Sequence, residues 1–251
     1  MEKTNNSLCV GVCSSGLDST TTLVWQMKHG RQVQILHFNY GQLSEKAEKS
    51  RIQKIGEFLK VPVHIVDIPW LGTIGGSPLT DKSIELPKGW DSVFSLKCWV
   101  PARNVVFLSY AAALCERLGG GEISLGGESS ESFYLDNTQE FADRFSSMLE
   151  LGCLKPVKVV MPLVAWTKVE ELKWGVENGL PHHLTWSCDR GETKAGQFIH
   201  CGECGCCNSR RMAYHISDIQ DPQPYVNDKY FRDVFLPEFE SRKKEIDFRY
   251  I

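Results

Sequence analysis

No stretch of the sequence is apolar for anything near the roughly 20 residues a membrane-spanning helix requires, which leaves a transmembrane reading without support. Nor is there an excess of positive charge. The 28 Lys and Arg stand against 31 Asp and Glu, a formal net charge of −3, which gives no electrostatic reason to expect tight nucleic-acid binding. Internal repeats and low-complexity tracts are absent, which excludes a repeat array. The opening Met1-Glu2-Lys3-Thr4-Asn5-Asn6-Ser7 is polar and has no signal-peptide core, so a reducing, cytoplasmic setting is expected. Cysteine, by contrast, is plentiful: ten occur in 251 residues. In a reducing compartment disulfides rarely persist, so Cys9, Cys13, Cys98, Cys115 and Cys153 read as small buried or half-buried side chains. With 42% hydrophobic residues, the chain suffices for one large α/β domain or for one domain with a small appendage.

Strand and helix patterns alternate. Residues 8–13 read as a buried strand and about 18–29 as a helix, followed by a second buried strand at 33–38. Residues 44–60 form a charged amphipathic helix with Ala47, Ile52, Ile55, Phe58 and Leu59 on its apolar stripe, and 61–66 a third strand. Such alternation predicts an α/β fold with a doubly wound parallel sheet. The stretch from Trp70 to Cys98, rich in Gly, Pro and Ser, reads as a long excursion that can cover a ligand. Asn104 to Leu118 reads as a helix apolar nearly all round and hence buried, ended by Gly119-Gly120-Gly121. Residues 123–127 read as a fourth strand. Loops at the carboxyl ends of strands line the site in such sheets, which groups Ser14 to Ser19, Asn39 to Gln42 and Gly126 to Asp136.

Ser14-Ser15-Gly16-Leu17-Asp18-Ser19 lies between the first strand and the first helix. Small residues let the backbone pass close to an anion, and the unpaired amides of a helix N-terminus attract one. The hydroxyls of Ser14 and Ser19 can add hydrogen bonds. Asp18 would repel a phosphate directly, yet it fits either as a holder of Mg²⁺ on a nucleotide or as a helix cap. An ordinary strand-turn-helix with a Ser/Asp cap is the plain alternative. Downstream, Cys188, Cys201, Cys204 and Cys207 combine one outlying thiol with a C-x2-C-x2-C cluster. Four thiolates complete the closed tetrahedral shell of a structural Zn²⁺, so zinc is the leading reading, ahead of disulfides or an iron–sulfur cluster. Cys206 is a fifth thiol, either an alternative ligand or free at the surface.

At this point a resemblance can be stated. Ser14 to Ser19 resembles the SGGxDS loop of N-type ATP pyrophosphatases, whose fold is adenine-nucleotide alpha hydrolase-like. Further runs resemble the 7-cyano-7-deazaguanine synthase branch. They are Phe38-Asn39-Tyr40-Gly41-Gln42, Val100-Pro101-Ala102-Arg103-Asn104, Tyr134 with Asp136, Gln139-Glu140-Phe141, Met161-Pro162-Leu163 and Thr167-Lys168-Val169-Glu170. Thr185-Trp186-Ser187-Cys188, Cys201-Gly202-Glu203-Cys204, Cys207 and Arg210 complete the series. The resemblance implies an enzyme that uses ATP and Mg²⁺ to adenylate a carboxylate and lets ammonia attack the acyl group, a second ATP driving dehydration to the nitrile. It implies that Ser14, Ser15, Gly16, Leu17, Asp18, Ser19, Phe38, Tyr40 and Gln42 bind ATP. Asp18, Lys168 and Arg103 would carry the chemistry. Arg103, Asn104, Gly126, Glu128, Tyr134 and Asp136 would hold a 7-deazaguanine acid, and a homodimer is the family's assembly.

The expected layout is an ATP pyrophosphatase domain over 1–184, a zinc-binding module over 185–225 and a C-terminal extension over 226–251. Departures from the family bear on the substrate. Ser15 and Ala102 stand where glycine is usual, and Asn39 where Asp is usual. Asn137-Thr138 follow Asp136 where Cys-Arg is usual, in a loop that is also shorter. An arginine lost beside a carboxylate substrate removes a bidentate partner. The acyl acceptor is therefore either ammonia, giving 7-cyano-7-deazaguanine, or a protein amine, as in a defence-associated paralogue. A tRNA-thiolating enzyme and a zinc-stabilised, non-catalytic nucleotide-binding protein are the more distant readings. In the extension, Tyr230-Phe231, Phe235-Leu236, Phe239 and Phe248 are expected to fold back on the parent domain or to dock on a partner, with 241–245 a solvated helix.

Overall fold

A computed structural model describes residues 7–89, 96–127, 134–191, 193–194 and 196–242. The fold grows around strand β1 (Leu8–Val12), whose sequence LCVGV carries no side chain that needs water. Being buried on both faces, it pairs in parallel with β2 (Gln32–Asn39) on one side and β4 (Gly121–Leu125) on the other, in register Val10↔Gln34 and Val10↔Ile123. Adding β3 (Val63–Asp67) and β5 (Val157–Val160) gives a five-stranded, all-parallel sheet in the order β3-β2-β1-β4-β5. Parallel neighbours require crossovers, and these are helices on both faces. Helices α1 (Leu17–Lys28) and α2 (Glu45–Leu59) cover one face through Leu23, Ile52 and Ile55. After the short helix α3 (Trp70–Thr73), α4 (Arg103–Arg117) and α5 (Gln139–Gly152) cover the other through Phe107, Leu108, Ala111, Phe145 and Leu149. The doubly wound expectation is thus met, and the order of crossing reverses between β1 and β4. A crevice opens there at the strands' carboxyl ends.

Helix α6 (Lys168–Glu177) begins with a capping box in which the Thr167 hydroxyl accepts the Glu170 N–H and the Glu170 carboxylate accepts the Thr167 N–H. A small antiparallel pair, β6 (Thr193–Lys194) and β7 (Gln197–Phe198), precedes helix α7 (Gly205–Ser217). A final helical stretch runs through Asp228–Tyr230, a π-helical turn Phe231–Phe235, and Leu236–Arg242.

One expectation needs correction. Helix α4 is not buried all round: Val105 and Tyr110 are 41% and 45% exposed, because only one side of it meets the sheet. The excursion after β3 meets the crevice. Leu71 and Leu86 are buried and Ser77 is fully enclosed, while Leu79, Pro87 and Cys98 line the crevice, so the segment forms part of its wall.

The aromatic stripe of the C-terminal stretch folds inward. Phe231, Phe235 and Phe239 are buried against Met212 of α7, Phe231 stacking on Phe235 at 5.7 Å; Phe248 and 243–245 lie outside the described residues. Removing a fully buried phenylalanine ring costs about 3–5 kcal/mol. Phe235→Ala is therefore expected to lower unfolding free energy by that order in urea titrations; an unchanged midpoint would show that the stripe adds nothing to the fold.

Candidate functional site

The chain leaves β1 through Cys13, whose N–H donates to the Leu36 carbonyl at 2.9 Å, and enters α1 at Leu17. Between them Ser15 adopts φ +68 and is fully buried, a left-handed conformation that costs a residue with a Cβ about 1–2 kcal/mol. That angle accounts for the glycine usual at this position, and the serine here is strained. The Ser15 carbonyl accepts the Trp186 N–H at 2.9 Å, which holds the turn from behind. In front, the Ser14 hydroxyl accepts the Gly16 N–H at 3.3 Å and lies 3.4 Å from the Ser19 hydroxyl. Gly16 stands at the N-cap and supplies no side-chain acceptor to the first turn of α1, whose amides are thereby left to an incoming anion. Gly126, after β4, is packed so closely that a Cβ would lie 2.8 Å from the Ser19 Cα; only glycine lets that loop close over the start of α1.

Lys168, at the first position of α6, reaches both carboxylate oxygens of Asp18 at 2.7 and 2.6 Å. Burial pushes the Asp18 carboxyl upward, but the Lys168 charge and hydrogen bonds outweigh it, and a hydrogen bond with Glu171 adds to them, so the group titrates below its ordinary value. The two residues expected to carry charge at the phosphate loop, 150 positions apart, thus form one cluster.

The crevice encloses about 350 Å³. Ser14, Gly16, Leu17, Asp18 and Ser19 line it together with Lys168, and so do Phe38, Tyr40 and Gln42. Phe38 is stacked on Phe107 at 4.2 Å. The Gln42 amide is spent on its own loop, accepting the Tyr40 N–H at 2.8 Å and donating to the Phe38 carbonyl and Glu48, so it shapes the wall. The Arg103 guanidinium donates to the Tyr40 hydroxyl at 3.4 Å and lies 6.0 Å from its ring centroid. Burial would depress Arg103, but Tyr40 and Asp136 beside it hold it above the ordinary arginine value. Ala102 sits at φ +53, again where glycine is usual, and α4 begins there without a side-chain cap of its own. Asp136 serves instead: its carboxylate accepts the Asn104 N–H at 3.3 Å, while the Asn104 amide donates to the Asp136 carbonyl at 3.2 Å. Tyr134 stacks on Trp99 at 5.9 Å and also lines the crevice. Asn137 is at the wall, but Thr138 is spent capping α5. Glu128 lies outside the described residues.

Cys188, Cys201, Cys204 and Cys207 are all buried, with their sulfurs within 4.8 Å of one another. Backbone N–H groups of Cys201, Glu203 and Cys204 point at the sulfurs from 3.3–3.4 Å, as thiolates require, and Cys207 lies in the first turn of α7, where the helix dipole favours negative charge. The donor set and its closure fit structural Zn²⁺. Cys206 faces away from the quartet and lines the crevice instead.

Several wall residues carry no signal of their own in the sequence. Asp189 directly follows the outlying ligand and Cys98 ends the 3₁₀ turn Leu96–Cys98, while Arg210, inside α7, is marked by the resemblance alone. Burial pushes the Asp189 carboxyl up to about 6. Arg210 is 1% exposed and bound to Asp221, Thr185, His182 and Tyr214.

A parallel α/β sheet whose first strand ends in a small-residue loop at a helix N-terminus, with a four-cysteine centre beside it, defines a nucleotide-site protein of the pyrophosphatase-loop class. The description "Queuosine biosynthesis protein QueC" belongs to the family model that matches residues 8–218. The chain is 38% identical over 222 residues to 7-cyano-7-deazaguanine synthase 2 of Sulfurisphaera tokodaii, covering 86% of this chain and 47% of that one. To the 7-cyano-7-deazaguanine synthase of Methanothermobacter thermautotrophicus it is 35% identical over 223 residues, covering 86% of this chain and 98% of that one. The chain therefore belongs to the QueC family. It spans about half the length of the Sulfurisphaera tokodaii and Sulfolobus acidocaldarius relatives and nearly all of the Methanothermobacter one. Among solved structures, NMN synthetase from Francisella tularensis superposes with a TM-score of 0.48 at 14% identity, covering 98% of this chain and 87% of that one.

Zinc analysis of the purified protein is expected to give one ion per chain. Cys201→Ala should lose it, whereas Cys206→Ser should keep the full complement; loss from the latter would return Cys206 to the ligand set. The Asp18–Lys168 pair sets a pH dependence. Because the folded-state value of Asp18 is depressed, its contribution is present above the unfolded value near 4 and disappears as pH falls through the folded one. Lys168→Met is thus expected to cost about 1–2 kcal/mol at pH 7 in urea unfolding, the pair being partly exposed, and to differ less from the wild type as pH drops below 4. A gap that stays constant down to pH 3 would disprove the pairing.

Proposed function

We propose that the chain is an ATP-dependent carbon–nitrogen ligase that adenylates a 7-deazaguanine carboxylate and delivers the acyl group to an amine, its best specific reading being formation of 7-cyano-7-deazaguanine from 7-carboxy-7-deazaguanine and ammonia. The observation that carries this is the joining of the Ser14–Ser19 loop, Lys168 and Arg103 in one crevice, within a chain of the QueC family. The loop amides and the Ser14 and Ser19 hydroxyls take the pyrophosphate of ATP, with Phe38, Tyr40 and Gln42 along the nucleotide. Lys168, released from Asp18 when phosphate arrives, neutralises charge that grows on the leaving group. Asp18, the loop carboxylate freed in that exchange, would hold Mg²⁺, which would supply charge neutralisation at the phosphates.

The substrate carboxylate oxygen attacks the α-phosphorus and pyrophosphate departs. The amine then attacks the acyl carbon, and AMP departs to leave an amide; a second adenylation, at the amide oxygen, followed by loss of AMP and protons, leaves the nitrile. Arg103, Asn104, Gly126, Tyr134 and Asp136 form the acid-binding side. Free ammonia, a homodimer and a cytoplasmic setting belong to the same reading. The wall around Asn137 favours keeping a second acceptor in view, because no arginine follows Asp136 there: a protein amine would then end the reaction at the amide.

The test is mass spectrometry of the protein incubated with ATP, Mg²⁺, 7-carboxy-7-deazaguanine and ammonium, with and without added protein acceptors. A free nitrile is expected, with turnover down at least 100-fold, or about 3 kcal/mol of transition-state stabilisation, in Lys168→Ala. A product that stops at the amide, or a tagged protein, moves the acceptor to a protein amine. No pyrophosphate release with any acid sinks the ligase reading.

A further inference from the structure

Four carboxylates line the crevice, and three of them are engaged. Asp18 is held by Lys168, Glu48 accepts from the Ser44 hydroxyl at 2.5 Å and the Gln42 amide at 2.9 Å, and Asp136 caps α4 through the Asn104 N–H. Asp189 differs. Among the described residues, the hydrogen-bonding side chain beside it, apart from the metal-set residue Cys204, is the Cys206 thiol, and a thiol is a weak donor. It lines the same crevice as Cys98 and as Tyr134, a residue of the acid-binding side, and its charge acts on both.

The backbone that carries Asp189 is fixed on both sides. The Cys188 carbonyl accepts the Trp186 indole N–H at 2.8 Å. At φ +61, Gly191 packs so that a Cβ would lie 2.6 Å from the Leu43 carbonyl oxygen. A carboxylate held in a crevice that Tyr40 and Tyr134 also line, and lacking a strong donor, fits a planar ring that offers adjacent N–H groups. The ring N–H and exocyclic amine of a 2-aminopyrimidinone form such a pair, and a carboxylate accepts both at once.

We infer that Asp189 is the residue that reads the 2-amino, N–H edge of the substrate ring and so selects guanine-type acids over rings without that amine. The inference rests on the deazaguanine reading above and adds the residue that enforces it. Substituting a partner of a paired, desolvated hydrogen bond leaves donors unpaired, so discrimination follows from loss as well as from gain.

Calorimetric titration of the zinc-loaded protein with 7-cyano-7-deazaguanine and with its analogue lacking the 2-amino group tests it. The wild type is expected to prefer the amino compound by about tenfold or more. Asp189→Asn and Asp189→Ala should abolish that preference while keeping zinc content and affinity for a non-hydrolysable ATP analogue. Equal loss for both ring compounds, or an unchanged preference, overturns the assignment; so does an intact preference accompanied by a raised KM for ammonium, which would make Asp189 an amine site. If the wild type binds the ATP analogue but neither ring compound, the deazaguanine reading itself fails.

Discussion

The buried guanidinium of Arg210 is the group on which the arrangement of the site depends. Its Nε donates to Asp221 at 3.0 Å, one terminal nitrogen to the Thr185 hydroxyl at 2.7 Å, and the other to the His182 carbonyl and the Tyr214 hydroxyl. An arginine taken out of water is costly unless its donors are met and a counter-charge lies close, and both conditions hold. In meeting them it binds α7, the 182–187 segment and the loop at Asp221 to one another. Those segments in turn carry Cys207, lead into Cys188, and carry Trp186, whose backbone N–H supports the strained turn at Ser15. Metal centre and phosphate loop are thus parts of one hydrogen-bonded assembly.

Two non-glycine residues in left-handed geometry mark where the site stores strain. Ser15 lies at the phosphate turn and Ala102 at the entry to α4, at φ +68 and +53. Both are positions where the backbone must bend sharply toward the crevice, and in both cases neighbouring hydrogen bonds enforce the bend: Trp186 upon Ser15, and Asp136 upon the first turn of α4. A helix without its own cap therefore depends on a residue 32 positions later, which also lines the crevice.

Much of the fold was legible because its signals are local. Apolar runs such as Leu8–Val12 and the stripe Ala47, Ile52, Ile55 follow strand and helix periods directly, and the turn residues between them mark the crevice. The cysteine spacing was legible for the same reason, since three ligands fall within a short segment. What periodicity does not encode is pairing at long range. Nothing in the sequence around Lys168 or Asp18 announces that they meet, and nothing marks Asp189 as a wall residue except that it follows Cys188. Resemblance brought Lys168 to notice. The exposed side of α4 was misjudged because apolar composition counts residues without knowing which neighbours the sheet leaves open.

The hydrogen bond from Trp186 to Ser15 also bears on how the protein comes into being. During synthesis the turn at Ser15 emerges long before the tryptophan that braces it, and longer still before Cys207 completes the metal set. Until then, the turn lacks its brace and the crevice its rear wall. A complete crevice is consequently a late event in the making of each molecule, because the turn forms its wall only once the distant segment that braces it has been made.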